Sequence, residues 1–346
     1  MPMVKKKLLI IRFSSFGDII QALGSSKFVK DSGEFEVHWL TKEQFGALVS
    51  LSPHVDRVLT LPNNATIFDL IKLTLSLRKE GYTHIFDAHM NIRAHIFSFV
   101  FRLFNFSSYQ FIRRSKHRLK RILLFKFRIN YFPRPFKGMH SFVLPLSGFS
   151  DFRQLNYESI DLRQNLSFES LVDESKVREV FDFSKSYIAI APSAAWGMKT
   201  WPKEHWHKLI SGIRKESDIP CVVLGGPQDT FCQEFENQYD NVINLAGKLS
   251  LVESSFIVKQ SKCLISADTG LLHVADLLGV NCLALIGPTA FGFPSHSNVK
   301  TLEVELECRP CTKDGRGNCS QKIYQKCMVD IRPEIVQDNL FQRIKN

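Results

Sequence analysis

The sequence predicts an α/β protein built from two doubly wound domains, and three observations carry that prediction. Short apolar runs alternate with amphipathic stretches in two separate series. The chain has 346 residues, roughly twice a typical domain. No internal repeat or low-complexity tract points to a solenoid or a linker-rich array. Alternation of this kind implies parallel strands joined by crossover helices. Hydrophobic residues at 44% and charged residues at 23% are ordinary for a globular chain and exclude a disordered or fibrous one.

In the first series Leu8 to Arg12 reads as a buried strand, Ile19 to Lys30 as a helix and Phe35 to Leu40 as a strand. Thr41-Lys42-Glu43-Gln44 has the form of a capping box opening the next helix. Then follow Arg57 to Leu61 (strand), Ile67 to Lys79 (helix), His84 to Phe86 (strand) and a helix from about Ile92. From Leu144 to Lys185 the strands disappear and the pattern becomes polar and helix-like. The second series pairs strands with helices in turn. Tyr187 to Ala191 precedes His205 to Lys215, Pro220 to Leu224 precedes Phe231 to Gln238, and Val242 to Leu245 precedes Leu251 to Lys259. Cys263 to Ser266, Leu271 to Leu278 and the strand Cys282 to Ile286 complete it. The expected division is 1–167 for a first domain, 168–185 for a linker and 186–332 for a second domain facing the first across a cleft. A closing helix over 333–346 is expected to pack back on the first domain. In such sheets ligands bind beyond the carboxyl ends of the strands.

Charge is concentrated in one place. Lys and Arg number 45 against 34 Asp and Glu, a net of +11. Between Ala88 and Ser150 stand twelve Lys or Arg and no Asp or Glu; the remainder holds 33 basic and 34 acidic groups, a net of −1. Phe97, Phe99, Phe101, Phe104 and Phe106 are interleaved with the basic residues. Three readings fit this segment: an anionic lipid surface or phosphorylated glycolipid, a nucleic-acid backbone, or a solvated basic face. No apolar run approaches the ~20 residues of a membrane span. The longest, Ile96 to Phe106, carries Arg102. Lys5-Lys6-Lys7 is followed by only four apolar residues before Arg12, too few for a secretory signal, so the chain is expected in the cytosol.

Four loops after strands are candidates for chemistry. In Arg12-Phe13-Ser14-Ser15-Phe16-Gly17-Asp18, the carboxylate of Asp18 sits at a helix start, placed either to act as a general base or only to cap the helix. Ala191 to Pro202 offers small residues with free N–H groups and Lys199 set between Trp196 and Trp201. Leu224-Gly225-Gly226-Pro227-Gln228-Asp229 carries a glycine pair, with Asp229 a candidate helix cap. Ser266-Ala267-Asp268-Thr269-Gly270-Leu271-Leu272-His273 opens a helix directly after a buried strand, an arrangement that cradles a diphosphate on helix N–H groups. Gly287-Pro288-Thr289 follows the next strand. None of these matches G-x-G-x-x-G or a P-loop, which disfavours a dinucleotide-dependent dehydrogenase and an ATPase.

All eight cysteines fall after residue 220. Cys221, Cys232, Cys263 and Cys282 stand in apolar contexts and read as buried thiols. Cys308, Cys311, Cys319 and Cys327 cluster behind a C-x-x-C start; they offer either a tetrahedral structural zinc site or four unliganded thiols, since the later spacings fit no standard pair.

Taken in order, these motifs resemble glycosyltransferase family 9, the lipopolysaccharide heptosyltransferases. Ile10 to Ile19 resembles the family's opening signature, and Lys199-Thr200-Trp201-Pro202 its Lys-x-Trp-Pro motif. Asp268 to Ala275 resembles its Asp-Thr-Gly-x-x-His-x-Ala motif, and Gly247-Lys248-Leu249-Ser250-Leu251 its Gly-Lys-x-Ser-Leu stretch. Departures are Gln21-Ala22-Leu23-Gly24, where a Pro often follows the Leu, and Ser193 to Trp196, which lacks a paired Thr.

The resemblance implies a GT-B fold, with the acceptor on the first domain and the nucleotide-sugar on the second. It implies metal-independent inverting transfer, typically of heptose from ADP-heptose to the lipopolysaccharide inner core. Asp18 would then deprotonate the acceptor hydroxyl, with Ser15 and Gly17 beside it, and Lys199 would counter the leaving diphosphate. Thr269 and Gly270 would hold that diphosphate, Asp268 would contact the donor sugar, and Ser193, Ala194, Gly226 and His273 would line the donor pocket. Arg93, Arg113, Arg114 and Arg121 are the chosen contacts to an anionic, lipid-linked lipid A–core acceptor. This places a monomer peripherally on the inner face of the cytoplasmic membrane, with no nucleic-acid partner and no required cofactor. The competing readings are a transferase of another nucleotide-sugar and a non-catalytic nucleic-acid or membrane-surface binder.

Overall fold

The computed structural model describes residues 6–104 and 108–345; Lys5 and Phe106 lie outside the described residues. The chain divides into two compact units. One runs to Arg118 and includes Met139–Ser167, and the other comprises Leu119–Gly138 and the chain from Phe168 onward.

In the first unit the order is β1 (Lys6–Ile11), α1 (Phe16–Ser32), β2 (Phe35–Lys42), α2 (Gly46–Ser50), β3 (Arg57–Leu61), α3 (Ile67–Leu77), β4 (His84–Asp87), α4 (Ile92–Phe104) and β5 (Gln110–Arg113). The strands form one parallel sheet in the order β3-β2-β1-β4-β5. Leu8, Leu9, Ile10 and Ile11 are wholly buried, the signature of a parallel strand covered on both faces. The helix α5 (Arg118–Phe127) leads into the other unit, and α6 (Gly138–Ser147) returns. Buried Gln164 ties the unit together: it donates to the Leu23 carbonyl (2.6 Å) and accepts from Ser52 Oγ (2.6 Å).

In the second unit the order is α7 (Glu174–Val180), β6 (Ile188–Ala191), α8 (Lys203–Glu216), β7 (Cys221–Val223), α9 (Gln233–Gln238), β8 (Val242–Asn244), α10 (Leu251–Gln260), β9 (Cys263–Ala267), α11 (Gly270–Leu278), β10 (Cys282–Leu285), β11 (Val299–Leu302), α12 (Lys326–Val329) and α13 (Pro333–Ile344). Its parallel sheet reads β11-β10-β9-β6-β7-β8. In both sheets the strand order reverses once, between β1 and β4 and between β6 and β9. Crossovers diverge to opposite sides there and leave a crevice beyond the strand ends.

One expected helix start is corrected. Thr41 does not cap a helix: β2 continues through it to Lys42, and α2 begins only at Gly46 after a tight turn over Glu43–Phe45. The capping boxes are elsewhere, at Thr66/Asp69 before α3 and at Ser250/Glu253 before α10. The Ser of the Gly-Lys-x-Ser-Leu stretch is therefore a helix cap. The stretch read as linker contains α7, capped by Asp173 and grouped with the second unit, as are residues 119–138 of the basic segment. The closing helix α13 lies on α8, β9 and β10 of its own unit. Phe97 and Phe101 of the basic segment are core residues stacked 5.6 Å apart, whereas Phe99 is exposed. Among the described residues no helix is long and apolar enough to cross a membrane.

Gly247 has left-handed backbone (φ 75°), and its N–H donates to the Gly225 carbonyl (3.0 Å). A Cβ there would lie 2.9 Å from Pro227 Cα. Gly247→Ala is expected to lower stability by about 1–3 kcal/mol, from the left-handed strain and the clash together, read as an earlier urea unfolding midpoint.

Candidate functional site

Both units place their candidate residues at the switch points. In the first, Arg12 follows β1 and is buried at 6% exposure. One guanidinium nitrogen donates to the Ala88 carbonyl beyond β4 (2.8 Å), another meets Asp18 Oδ2 at 2.6 Å, and the plane faces the Phe142 ring. Arg12 thereby spans the gap between β1, β4 and α1. Burial pulls its guanidinium below its ordinary pKa, while Asp18 and Asp87 oppose that pull. Asp18 stands in the first turn of α1, where the helix dipole favours a carboxylate, yet its Oδ2 turns to Arg12 and accepts from Ser15 Oγ (2.9 Å). Its side chain stays 41% exposed, so a hydroxyl can reach it.

His89 and Asp87 were not legible as site residues. Asp87, wholly buried, accepts from the N–H groups of His89 and Met90 and pairs with Arg113 Nε at 3.0 Å. Met90 takes up left-handed backbone (φ 56°), and Lys116 Nζ donates to its carbonyl. The Phe13 N–H donates to His89 Nδ1 (3.0 Å), which fixes that nitrogen as an acceptor. Burial, with Arg12, Lys116 and Lys42 nearby, pushes the imidazole down to about 3 against a pull from Asp18. His89 is a neutral ring on the Asp18 loop, and only its place two residues after a short strand could have signalled it.

The chosen arginines have separate fates. Arg113 is committed to Asp87 and lies 4.9 Å over the Phe111 ring. Arg114 stacks 3.8 Å over Phe142 and donates to Ser141 Oγ (2.8 Å). Arg93 is half-buried on the first turn of α4, and Arg121 belongs to the second unit, 4.7 Å over Phe291. Gly17 lies half-buried in the first turn of α1.

In the second unit Lys199 ends a tight turn after β6, and its Nζ lies 3.0 Å from Asp268 Oδ2 beyond β9. The pair is largely buried, at 13% and 11% side-chain exposure. Asp268 also accepts from Thr289 Oγ1 (3.0 Å), and His273 Nε2 lies 3.8 Å from its other oxygen. Thr269 precedes α11, with its hydroxyl 2.9 Å from Ser266 Oγ rather than on the helix. The first-turn N–H groups from Gly270 onward have no partner within the helix, which makes them anion donors. Ser193 and Ala194 are half-buried, with Ser193 Oγ 3.9 Å from Cys232 Sγ. The Gly226 N–H is spent on Asp229 Oδ2 (2.6 Å); Asp229 closes this turn and puts no side-chain cap on the helix that follows.

The cysteine-rich tail braces this site. Arg309, buried, donates to the Ile286 and Gly287 carbonyls, and the Cys311 and Thr312 N–H groups donate to the Pro288 carbonyl. Gln325 donates to the Gly197 and Thr200 carbonyls on either side of Lys199. At Gly315 (φ 92°) a Cβ would lie 2.6 Å from the Lys199 stem. Among the described residues no group of three or more His, Cys, Asp or Glu is arranged to hold a metal ion. All eight cysteines are free; Cys221, Cys232, Cys263, Cys282 and Cys327 are buried, and burial pushes the Cys327 thiol up to about 11.

Two parallel α/β units, each with an ion pair directly beyond the strands at its switch point, place the chain among the two-unit doubly wound α/β proteins. The family description Glycosyltransferase family 9 (heptosyltransferase) matches residues 149–324, half of the chain, and the protein belongs to that family. Lipopolysaccharide heptosyltransferase 1 of Campylobacter coli is 26% identical over 309 residues, 84% of this chain and 86% of that one. Lipooligosaccharide heptosyltransferase 2 of Campylobacter jejuni is 26% identical over 170 residues, 47% of this chain and about half (52%) of that protein. The solved E. coli ADP-heptose lps heptosyltransferase II superposes with a TM-score of 0.74 at 17% identity, covering 98% of each chain. The fold is GT-B-like and the chain is a glycosyltransferase.

Two outcomes follow from this geometry. Asp268→Ala strands a buried ammonium and is expected to cost about 3–5 kcal/mol, whereas Lys199→Met with Asp268→Asn should recover most of that in urea unfolding. The second concerns His89: below its ordinary 6.5 and down to about 3 the unfolded chain binds a proton that the folded one refuses. Stability therefore falls on acidification through that window, by up to about 1.4 kcal/mol per pH unit from this residue. His89→Gln should flatten the acid limb of stability against pH, and an unchanged limb would refute the assignment.

Proposed function

We propose that this glycosyltransferase moves heptose from ADP-heptose to the inner core of lipopolysaccharide with inversion, Asp18 serving as general base. The observation that carries the reading is the placement of the family-like motifs: Arg12–Asp18 and Lys199–Asp268 each stand directly beyond the strands at a switch point. The names of the Campylobacter relatives support the sugar and the acceptor class, and that of the solved E. coli heptosyltransferase supports the donor.

In this reading the acceptor hydroxyl gives its proton to Asp18 as its oxygen attacks the anomeric carbon. The bond from that carbon to the diphosphate oxygen breaks, and ADP leaves with the electron pair. Arg12 aims the carboxylate and Ser15 steadies it, so Asp18 needs little reorganisation when the proton moves. Lys199 rests on Asp268 and is shared with, or transferred to, the diphosphate when donor arrives. The N–H groups at the start of α11 take the remaining charge, and no metal is required for the step.

Asp18→Asn keeps size and polarity but cannot accept the proton. With ADP-heptose and an inner-core acceptor, kcat is expected to fall by about 10²–10⁴-fold. The affinity for ADP, read by calorimetry, should stay unchanged because Asp18 lies in the unit without Lys199. An unimpaired rate would overturn the base assignment.

A further inference from the structure

Residues 118–137 carry seven of the twelve basic residues of the segment, and the fold fixes which way they point. Leu124 is buried, and Phe125, Phe132 and Phe136 set their rings against Phe291 at 6.1, 4.9 and 5.2 Å. Arg128 donates to the Cys308 and Pro310 carbonyls (3.2 and 3.0 Å), and the Gly138 N–H donates to the Phe293 carbonyl (2.8 Å). The segment is thus pinned to the second unit by its inner side.

Its outer side is apolar and basic together. Leu119, Ile122, Phe127, Ile129 and Tyr131 are all exposed, between 46% and 71%. On α5, Leu119, Ile122 and Lys126 recur at three- and four-residue spacing and so share one face, with Lys120 and Phe127 at its edge. Arg118, Lys120 and Lys126 are exposed too, and no acidic residue occurs anywhere from Ala88 to Ser150. Five large apolar side chains kept in water within thirteen residues need a cover, and the charge selects it. A phosphate-bearing surface with an apolar layer just beneath satisfies both sets, the basic groups at the headgroups and the apolar teeth at the acyl boundary. A nucleic-acid backbone would use the lysines but has no place for Leu119, Ile122 and Ile129.

We propose that α5 and the turn after it, residues 118–131, form the docking surface of this protein for an anionic lipid bilayer. The surface stands independently of the donor and acceptor assignments, because vesicle binding is read without any transfer reaction. The test is flotation of the full chain with mixed phosphatidylcholine–phosphatidylglycerol vesicles and with phosphatidylcholine vesicles alone. The wild type should float with the anionic vesicles only. Leu119→Ser/Ile122→Ser/Phe127→Ser should lower binding by about tenfold or more, and Lys120→Gln/Lys126→Gln should do the same. Thermal unfolding of each variant should match the wild type, since all five side chains are exposed. Wild-type binding by both variants overturns the proposal, as does equal flotation with neutral vesicles. So does a preference for duplex DNA over vesicles that only the lysine variant weakens.

Discussion

A parallel sheet buried on both faces has nowhere to put a charge except at its ends, and that constraint organises this protein. Leu8–Ile11 and Ile188–Ala191 are packed above and below by helices, so polar chemistry is pushed to the first residues beyond each strand. Where the strand order reverses, two such ends lie side by side with their crossovers diverging, and a charged residue from one strand meets a partner from the next. Arg12 after β1 reaches Ala88 after β4 and Asp18 on α1; Lys199 after β6 reaches Asp268 after β9. The two units solve one topological problem with the same pairing and different burial: the first buries its cation and leaves the carboxylate exposed, whereas the second largely buries both.

That difference bears on what each pair can do. The Arg12 guanidinium is planar and held by a backbone carbonyl and a ring as well as by Asp18, so it acts as a fixed mount for a carboxylate that remains open to solvent. Lys199 is a flexible stem with a point charge whose course is set by the tail packed along it. In the proposed reading a rigid cation suits a base that must be aimed. In the same reading a cation confined before the donor arrives suits the growing charge of the leaving diphosphate, because it needs little reorganisation.

How much of this was legible depended on how local the signal was. The strands of both sheets that consist of apolar β-branched runs stood out, because burial on two faces imposes composition without reference to partners. Short β5 did not, since only Phe111 and Ile112 of its four residues are apolar and the surrounding sequence is basic. Thr41 misled because Thr-x-x-Gln satisfies the capping pattern while the residue itself is buried in β2; the neighbouring strand decided, not the local propensity. Asp18, Lys199 and Asp268 could be picked out by their position after strands, but their partners Arg12 and Thr289 were read only as neighbours. His89 and Asp87 depend on contacts spanning 76 and 26 residues of sequence, which no window along the chain contains.

The tail shows the same principle at longer range. Its cysteine spacing drew attention to sulfur, whereas much of the structural work falls on residues between the cysteines. Arg309, Thr312 and Gln325 donate to carbonyls of the loops at Gly287, Pro288 and Lys199, and Gly315 leaves room for the Lys199 stem. Loops at strand ends are the part of an α/β fold that the sheet itself does not hold, and a cation on such a loop would wander over several rotamers. Wrapping some twenty residues back over the loop removes that freedom before any ligand binds. The Cys327 thiol contributes in this frame as a packed apolar group against Gly287, where even a methyl would collide with Met328. The tail is therefore part of the site's architecture although none of its residues belongs to the motifs by which the site is recognised.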